Sequence, residues 1–126
     1  MSTFKSFEEI EAWQKARALT RQVYAHSKTG TFAKDFGLRD QVCRACVSVM
    51  ANIAEGFERG GRKEFIQFLS TAKASSGEVR SHLYVALDQQ YISTNDFDIL
   101  TQEAKEVSRM IAGLMKSLVF KRYQRF

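Results

Sequence analysis

Apolar residues recur along this chain at intervals of three and four, in four separate stretches. In the first, Trp13, Ala16, Leu19, Thr20 and Val23 share one face at helical spacing, with Ala12 beside them. Ser6 and Glu9 precede that face as a capping box, so the spacing predicts a helix beginning at Ser6 and fading between Ser27 and Gly30. A second helix is predicted from about Leu38 to Phe57. At 100° per residue its apolar members Leu38, Val42, Ala45, Cys46, Val49, Met50, Ile53 and Phe57 fan over about 140°. A sector that wide suggests burial on two sides, by the home bundle and by a neighbouring subunit.

The third stretch opens after Gly60-Gly61, near Arg62. Its stripe of Phe65, Phe68, Leu69, Ala72, Ser76, Val79, Leu83, Ala86 and Leu87 runs to about Gln90. Its middle, from Ala72 to Gly77, is built of small residues that let another helix approach closely. Ser93 to Asn95 are capping residues for a fourth helix, whose stripe is Phe97, Leu100, Ala104, Val107, Ile111, Leu114, Met115 and Leu118. Four amphipathic helices with short connections predict an all-α fold, an antiparallel up-down four-helix bundle in which residues 1–126 form a single domain.

Composition agrees with this picture and adds charge. The chain has 126 residues, no proline, 44% apolar content and 26% charged content, which suits one hydrophobic core. The opening nine residues hold no apolar signal core, and no run approaches the roughly 18 apolar residues of a membrane span. The expectation is a cytoplasmic protein with no membrane partner. The net charge is +5 and the pI about 9.4, and the bases are unevenly spread. No acid occurs between Ala12 and Lys34, where Lys15, Arg17, Arg21, Lys28 and Lys34 lie; none follows Glu106, after which come Arg109, Lys116, Lys121, Arg122 and Arg125. Such bias suits a polyanionic partner, although a solvated helix face and a basic helix end carry similar charge.

The candidates for chemistry are few. Cys43-Arg44-Ala45-Cys46 has redox spacing but lies inside a helical apolar stripe with no strand before it, so both cysteines are expected in the core. A carboxylate-bridged metal site needs paired Glu-x-x-His motifs, whereas Glu78 and His82 are four apart and only Glu64 joins them on one flank. Neither a metal nor another cofactor is implied. The strongest polar constellation is on the second helix. Gln41, Arg44, Ser48, Asn52, Glu55 and Arg59 fall within about 80°, opposite the apolar face, at spacings that allow Arg44–Ser48, Ser48–Asn52, Asn52–Glu55 and Glu55–Arg59 contacts. Glu55 could serve there as a general base, with Arg44 or Arg59 as an anion clamp. No nucleophile accompanies them, and the structural reading is preferred: a brace near the turn into the third helix, with Gly56 and Gly60-Gly61 marking the end of the second. No catalytic residue is assigned.

These residues carry a resemblance. Phe7, Ile10, Trp13, Ala16 and Leu19 are followed by Leu38, Gln41, Arg44, Ala45 and Ser48, by Asn52-Ile53-Ala54-Glu55-Gly56, and by Arg59. Phe65, Phe68, Leu69, Ala72, Ser75 and Glu78 complete the pattern. Over nearly its whole length the chain resembles the four-helix-bundle family of 23S rRNA intervening-sequence proteins, related in fold to the accessory variability proteins of diversity-generating retroelements. It departs at Met50, where the family often has a proline that would kink the helix, and at Ala74, where it often has glycine. The resemblance implies a small cytosolic bacterial protein, a ring-shaped homo-oligomer with a pentamer favoured, and no established catalytic residues. The retroelement relatives are basic and act through nucleic acid.

The function expected from this reading is a non-enzymatic oligomeric module that binds RNA or DNA. Its candidate contacts are Arg17, Arg21 and Lys28 on the first helix and Lys116, Lys121, Arg122 and Arg125 near the C-terminus. The alternative is a scaffold that binds a protein partner and no nucleic acid.

Overall fold

The computed structural model describes residues 4–124, with side chains described through residue 120. It contains four α-helices: α1 (Glu11–Ser27), α2 (Phe36–Glu58), α3 (Arg62–Asp88) and α4 (Thr94–Gln124). There is no strand among the described residues. Consecutive helices pack side by side and α4 closes against α1, so the bundle is a four-cornered, up-down arrangement. The four apolar stripes meet in one core. Leu19, Val23, Val42, Val49, Ile53, Leu69, Val79, Leu83, Leu100 and Ile111 are all buried in it.

The helix ends show where local signals held. Ser93 opens α4: its Oγ accepts the Asp96 amide at 3.0 Å and its carbonyl accepts the Phe97 amide at 2.9 Å. The expected capping box at Ser6 does not open α1. A single 3₁₀ turn, Phe7–Glu9, occupies that position, and the Glu9 carboxylate accepts from the Lys5 amide at 3.0 Å. Ile10 then takes an extended conformation and is almost fully buried, so the chain bends to seat Ile10 in the core before α1 starts. α2 begins two residues earlier than expected, at Phe36, because Asp35 Oδ1 accepts the Leu38 amide at 3.1 Å. The other oxygen of Asp35 accepts the Tyr91 hydroxyl at 2.9 Å, and the Tyr91 ring stacks on buried Phe32. One carboxylate thereby caps α2 and ties it to the α3–α4 turn.

α2 packs against α1 on one side and α3 on the other. That arrangement absorbs its wide apolar sector within the bundle: Leu38, Val42, Ala45, Cys46, Val49 and Ile53 are buried, and Met50 and Phe57 are partly buried against the same core. A neighbouring subunit is not needed to cover it. The helix also runs unbroken through Met50. Gly56 does not end α2 but sits inside it, where a Cβ would stand 2.6 Å from the Phe68 Cβ and 3.0 Å from Phe65 Cδ1. It is a point of close approach between α2 and α3. Gly60, with φ of +83°, makes the turn itself. In the small-residue middle of α3, Ala72, Ser75 and Ser76 are buried, and Ser76 Oγ donates to the Ala104 carbonyl of α4 at 2.8 Å. Gly77 has no atom within 4 Å of its Cβ position and carries no close packing.

Candidate nucleic-acid interface

α1 has two unlike flanks. On the side toward α4, Lys15 Nζ lies 2.9 Å from the Glu106 carboxylate, Gln22 Nε2 donates to Glu103 at 2.9 Å, and His26 lies 4.0 Å from Asp96. The Lys15 hydrogen bond and charge hold the Glu106 carboxyl below its usual range, and Glu106 likewise raises the Lys15 ammonium. This flank is electrostatically closed. On the side toward α2, Arg17, Arg21 and Lys28 are exposed and form no ion pair among the described residues. Arg17 lies over the Trp13 ring, 5.9 Å from its centroid.

Tyr24 completes that second flank. Residues 17, 21, 24 and 28 are spaced four, three and four apart, which puts them within about 60° on the helix over a length of about 16 Å. Beyond Tyr24 the stripe opens into a groove of about 770 Å³ between α1 and α2. Its walls are Tyr24 and Lys28 of α1 and Arg39, Arg44 and Val47 of α2, and the floor is Ser27 and Cys43. Arg39 is already engaged: it donates to the Ala33 carbonyl at 2.9 Å, approaches Asp40 at 3.6 Å and stacks over Phe36. Lys28 and Arg44 have no such partner among the described residues. The groove therefore offers two uncommitted cations, and its one acid, Asp40, already faces Arg39.

The floor is buried. Cys43 is 8% exposed and its Sγ lies 3.5 Å from Ser27 Oγ, which donates to the Tyr24 carbonyl. Cys46 is 1% exposed and deeper in the core; burial, then the adjacent Cys43, push its thiol up to about 12. Both cysteines are free, as expected of core residues. Tyr24 is 36% exposed, and burial of its inner edge raises its phenol above the ordinary value, so it is a neutral ring at physiological pH.

The basic positions expected at the other end of the chain do not join this surface. Lys116 is exposed on α4 in a shallow apolar depression with Gly113, Ser117, Val119 and Phe120. The acidic seam of Asp96, Glu103 and Glu106 separates α4 from the α1 stripe. The side chains of Lys121 and Arg122, and all of Arg125, lie outside the described residues.

Within the polar stripe of α2, Ser48 and Asn52 border the core along the seam with α3, whereas Gln41, Arg44, Glu55 and Arg59 are exposed. Ser48 Oγ is 2.9 Å from Ser75 Oγ of α3, and Asn52 Nδ2 donates to the Ser48 carbonyl at 2.8 Å and to its Oγ at 3.1 Å. Glu55 and Arg59 pair at 3.1 Å in solvent, and the Arg59 guanidinium lies over the Phe68 ring of α3. The Ser48–Asn52 and Glu55–Arg59 contacts expected from spacing are present. Arg44–Ser48 and Asn52–Glu55 contacts are not: Gln41 and Arg44 are exposed, and Arg44 turns to the groove on the α1 side. The brace thus spans the middle of the α2–α3 seam, not only its turn. Glu78 and His82 lie 3.3 Å apart on α3, while Glu64 is some 21 Å along the helix from Glu78. Among the described residues, no group of three or more His, Cys, Asp and Glu could hold a metal ion. No described helix is long and apolar enough to cross a membrane.

Comparison with known proteins bears on this geometry. No curated protein matches the chain in sequence. Among solved structures, it is similar to a protein of unknown function from the S23 ribosomal protein family of Bacteroides thetaiotaomicron. The two share 21% identity and superpose with a TM-score of 0.76, over 84% of this chain and 96% of the other. At that identity the likeness speaks for the bundle alone. The family model described as 23S rRNA-intervening sequence protein matches residues 8–113, which takes in the α1 stripe, the groove and the braced α2–α3 seam; the chain belongs to that family.

Proposed function

We propose that the protein is a non-enzymatic, cytoplasmic nucleic-acid-binding module whose contact surface is the α2-facing flank of α1, continued by Arg44. The observation that carries this reading is the contrast between the flanks. Lys15 is neutralised by Glu106, while Arg17, Arg21 and Lys28 are exposed without an acid partner among the described residues. Unneutralised cations on a rigid helix suit phosphate, because each contact releases condensed counterions. The family is named for a 23S rRNA intervening sequence, so an RNA is the natural first probe. Self-assembly belongs to the same proposal, with the pentameric ring implied by the family resemblance: repeating a modest basic stripe around a ring gives avidity without new contacts.

Anisotropy titrations of a labelled RNA oligonucleotide across a salt series test the proposal. Wild-type affinity should fall steeply with salt. The triple variant Arg17→Ala/Arg21→Ala/Lys28→Ala should flatten the log–log slope by about 2 if three single-strand phosphate contacts are lost. Absence of wild-type binding at low salt, or an unchanged slope in the variant, would refute it. A scaffold role is the second reading, favoured by the exposed side chains of Phe36 (62%) and Tyr84 (57%). It predicts oligomers by light scattering that leave RNA unbound.

A further inference from the structure

Phosphate contacts alone do not account for the groove. A duplex could lie on Arg17, Arg21 and Lys28 without entering a recess that has a tyrosine wall and a floor of Cys43 and Ser27. We propose that this recess is a subsite for an unpaired nucleotide. The Tyr24 ring stacks on the base, Val47 and Cys43 line its apolar edge, and Lys28 and Arg44 take the flanking phosphates. The occupant is a single-stranded segment of nucleic acid. This inference rests on the nucleic-acid reading above and narrows it to the form of strand.

Three features support the assignment. Tyr24 sits within the basic stripe at the spacing 17, 21, 24, 28, so a strand tracking the cations passes over its ring. Its ring is partly exposed at the groove wall, and its hydroxyl has no hydrogen-bond partner among the described residues. The two uncommitted cations come from different helices, Lys28 from α1 and Arg44 from α2, so they stand on both sides of the recess. Aromatic faces flanked by cations are the usual means of holding single strands without strong sequence preference, since every base has a π-face. Bases inside a duplex are stacked on one another and have no face to offer. Continuity with Arg17 and Arg21 favours a polymer over a free nucleotide, which would leave those two cations unused.

The test compares wild type, Tyr24→Ala and Tyr24→Phe. Each is titrated at low salt with labelled oligo(U), oligo(dT), a duplex of equal length and a mononucleotide. Thermal melting first verifies that both variants are folded, as the partial exposure of Tyr24 leads one to expect. Tyr24→Ala should weaken single-strand binding by about 5- to 100-fold while changing duplex affinity less than about threefold; Tyr24→Phe, which keeps the ring, should stay close to wild type. The mononucleotide should bind far more weakly than the oligomer. The inference is overturned if Tyr24→Ala leaves single-strand affinity unchanged or weakens duplex binding equally. In each case wild-type binding would still uphold the broader reading, whereas wild-type protein that binds no probe removes both.

Discussion

Replacing Gly56 with alanine adds one methyl group at a place where α2 and α3 pack closely. That methyl carbon would stand 2.6 Å from the Phe68 Cβ, 3.0 Å from Phe65 Cδ1 and 3.4 Å from the Phe65 carbonyl oxygen. Carbon atoms rest at about 3.5–4.0 Å, so the nearest contact must open by about 1 Å. The Phe65 ring can turn aside. The Phe68 Cβ cannot, because it is bonded directly to the α3 backbone, so relief requires the helices to part. Overpacking of this kind costs about 1–3 kcal/mol, and a contact so short belongs near the upper end. Alanine recovers up to about 1 kcal/mol because glycine is a poor helix former. The expected net loss is about 2 kcal/mol. At an unfolding entropy of roughly 2 cal/mol/K per residue, that lowers Tm by about 8 °C in a chain of this length. Gly77→Ala is the internal control: it makes the same chemical change inside α3, with nothing within 4 Å to meet the new methyl. It should raise Tm by about 2–4 °C from helix propensity alone. Calorimetry at one fixed protein concentration, with mass followed by light scattering, measures both. A Gly56→Ala protein as stable as wild type would refute the claim that this glycine sets the helix–helix distance.

Other expectations follow from the remaining contacts. Asn52→Ala should cost about 1 kcal/mol in urea unfolding, since the amide bonds a partly buried Ser48; combined with Ser75→Ala it should show a coupling of at least about 0.5 kcal/mol, and strict additivity would sink the idea of one linked brace. Gln90 holds a left-handed conformation, φ of +62°, at the end of α3, where the Tyr91 amide donates to the Ala86 carbonyl. Gln90→Gly should therefore stabilise the fold by about 0.5–1 kcal/mol, read as a higher urea midpoint. For Cys46 the folded thiol is raised from 9.0 to about 12, so the native state disfavours its ionisation. The stabilising effect is fully present below pH 9 and is lost as pH rises through 12. Iodoacetamide at pH 8 should leave Cys46 unmodified in native protein and alkylate it in urea, as mass spectrometry can follow.

The four helices were legible because their apolar stripes are long and regular, as from Phe97 through Ile111 to Leu118, and because the α4 cap at Ser93 is a local signal. What periodicity could not convey was contact between distant segments. Asp35 caps α2 and receives the Tyr91 hydroxyl, and nothing local to Asp35 announces a partner 56 residues away. Gly56 was legible as a glycine but not as a packing surface, since its meaning depends on Phe65 and Phe68 arriving from α3. The Asn52–Glu55–Arg59 run reads from its spacing as a brace opposite the apolar face, and the structure divides it. Asn52 borders the apolar sector, and only the position of α3 makes that border a seam, while Glu55 and Arg59 pair in solvent. Tyr24 is silent in the sequence for a different reason: it shares the spacing of Arg17, Arg21 and Lys28 but adds no charge.

Charge in the sequence and charge on the surface differ for the same cause. Between Ala12 and Lys34 the sequence offers five bases and no acid, and every one of them looks equally available. Folding brings α4 antiparallel to α1, and its acids Asp96, Glu103 and Glu106 arrive against one flank only. Lys15 is consumed there. Arg17, Arg21 and Lys28 are exposed on the other flank, and the acid that lines the adjoining groove, Asp40, already faces Arg39. The fold thus turns a uniformly basic segment into a helix with one acid-paired edge and one cationic edge, and the cationic edge is the one that leads into the groove. A charge reversal should expose this asymmetry. Lys15→Glu would set a second carboxylate beside Glu106 and should be felt mainly as lost stability. Arg21→Glu, exposed on the opposite flank, should leave Tm nearly unchanged and act on nucleic-acid affinity instead. If the two reversals weakened binding equally, the division of α1 into a structural and a binding edge would be wrong.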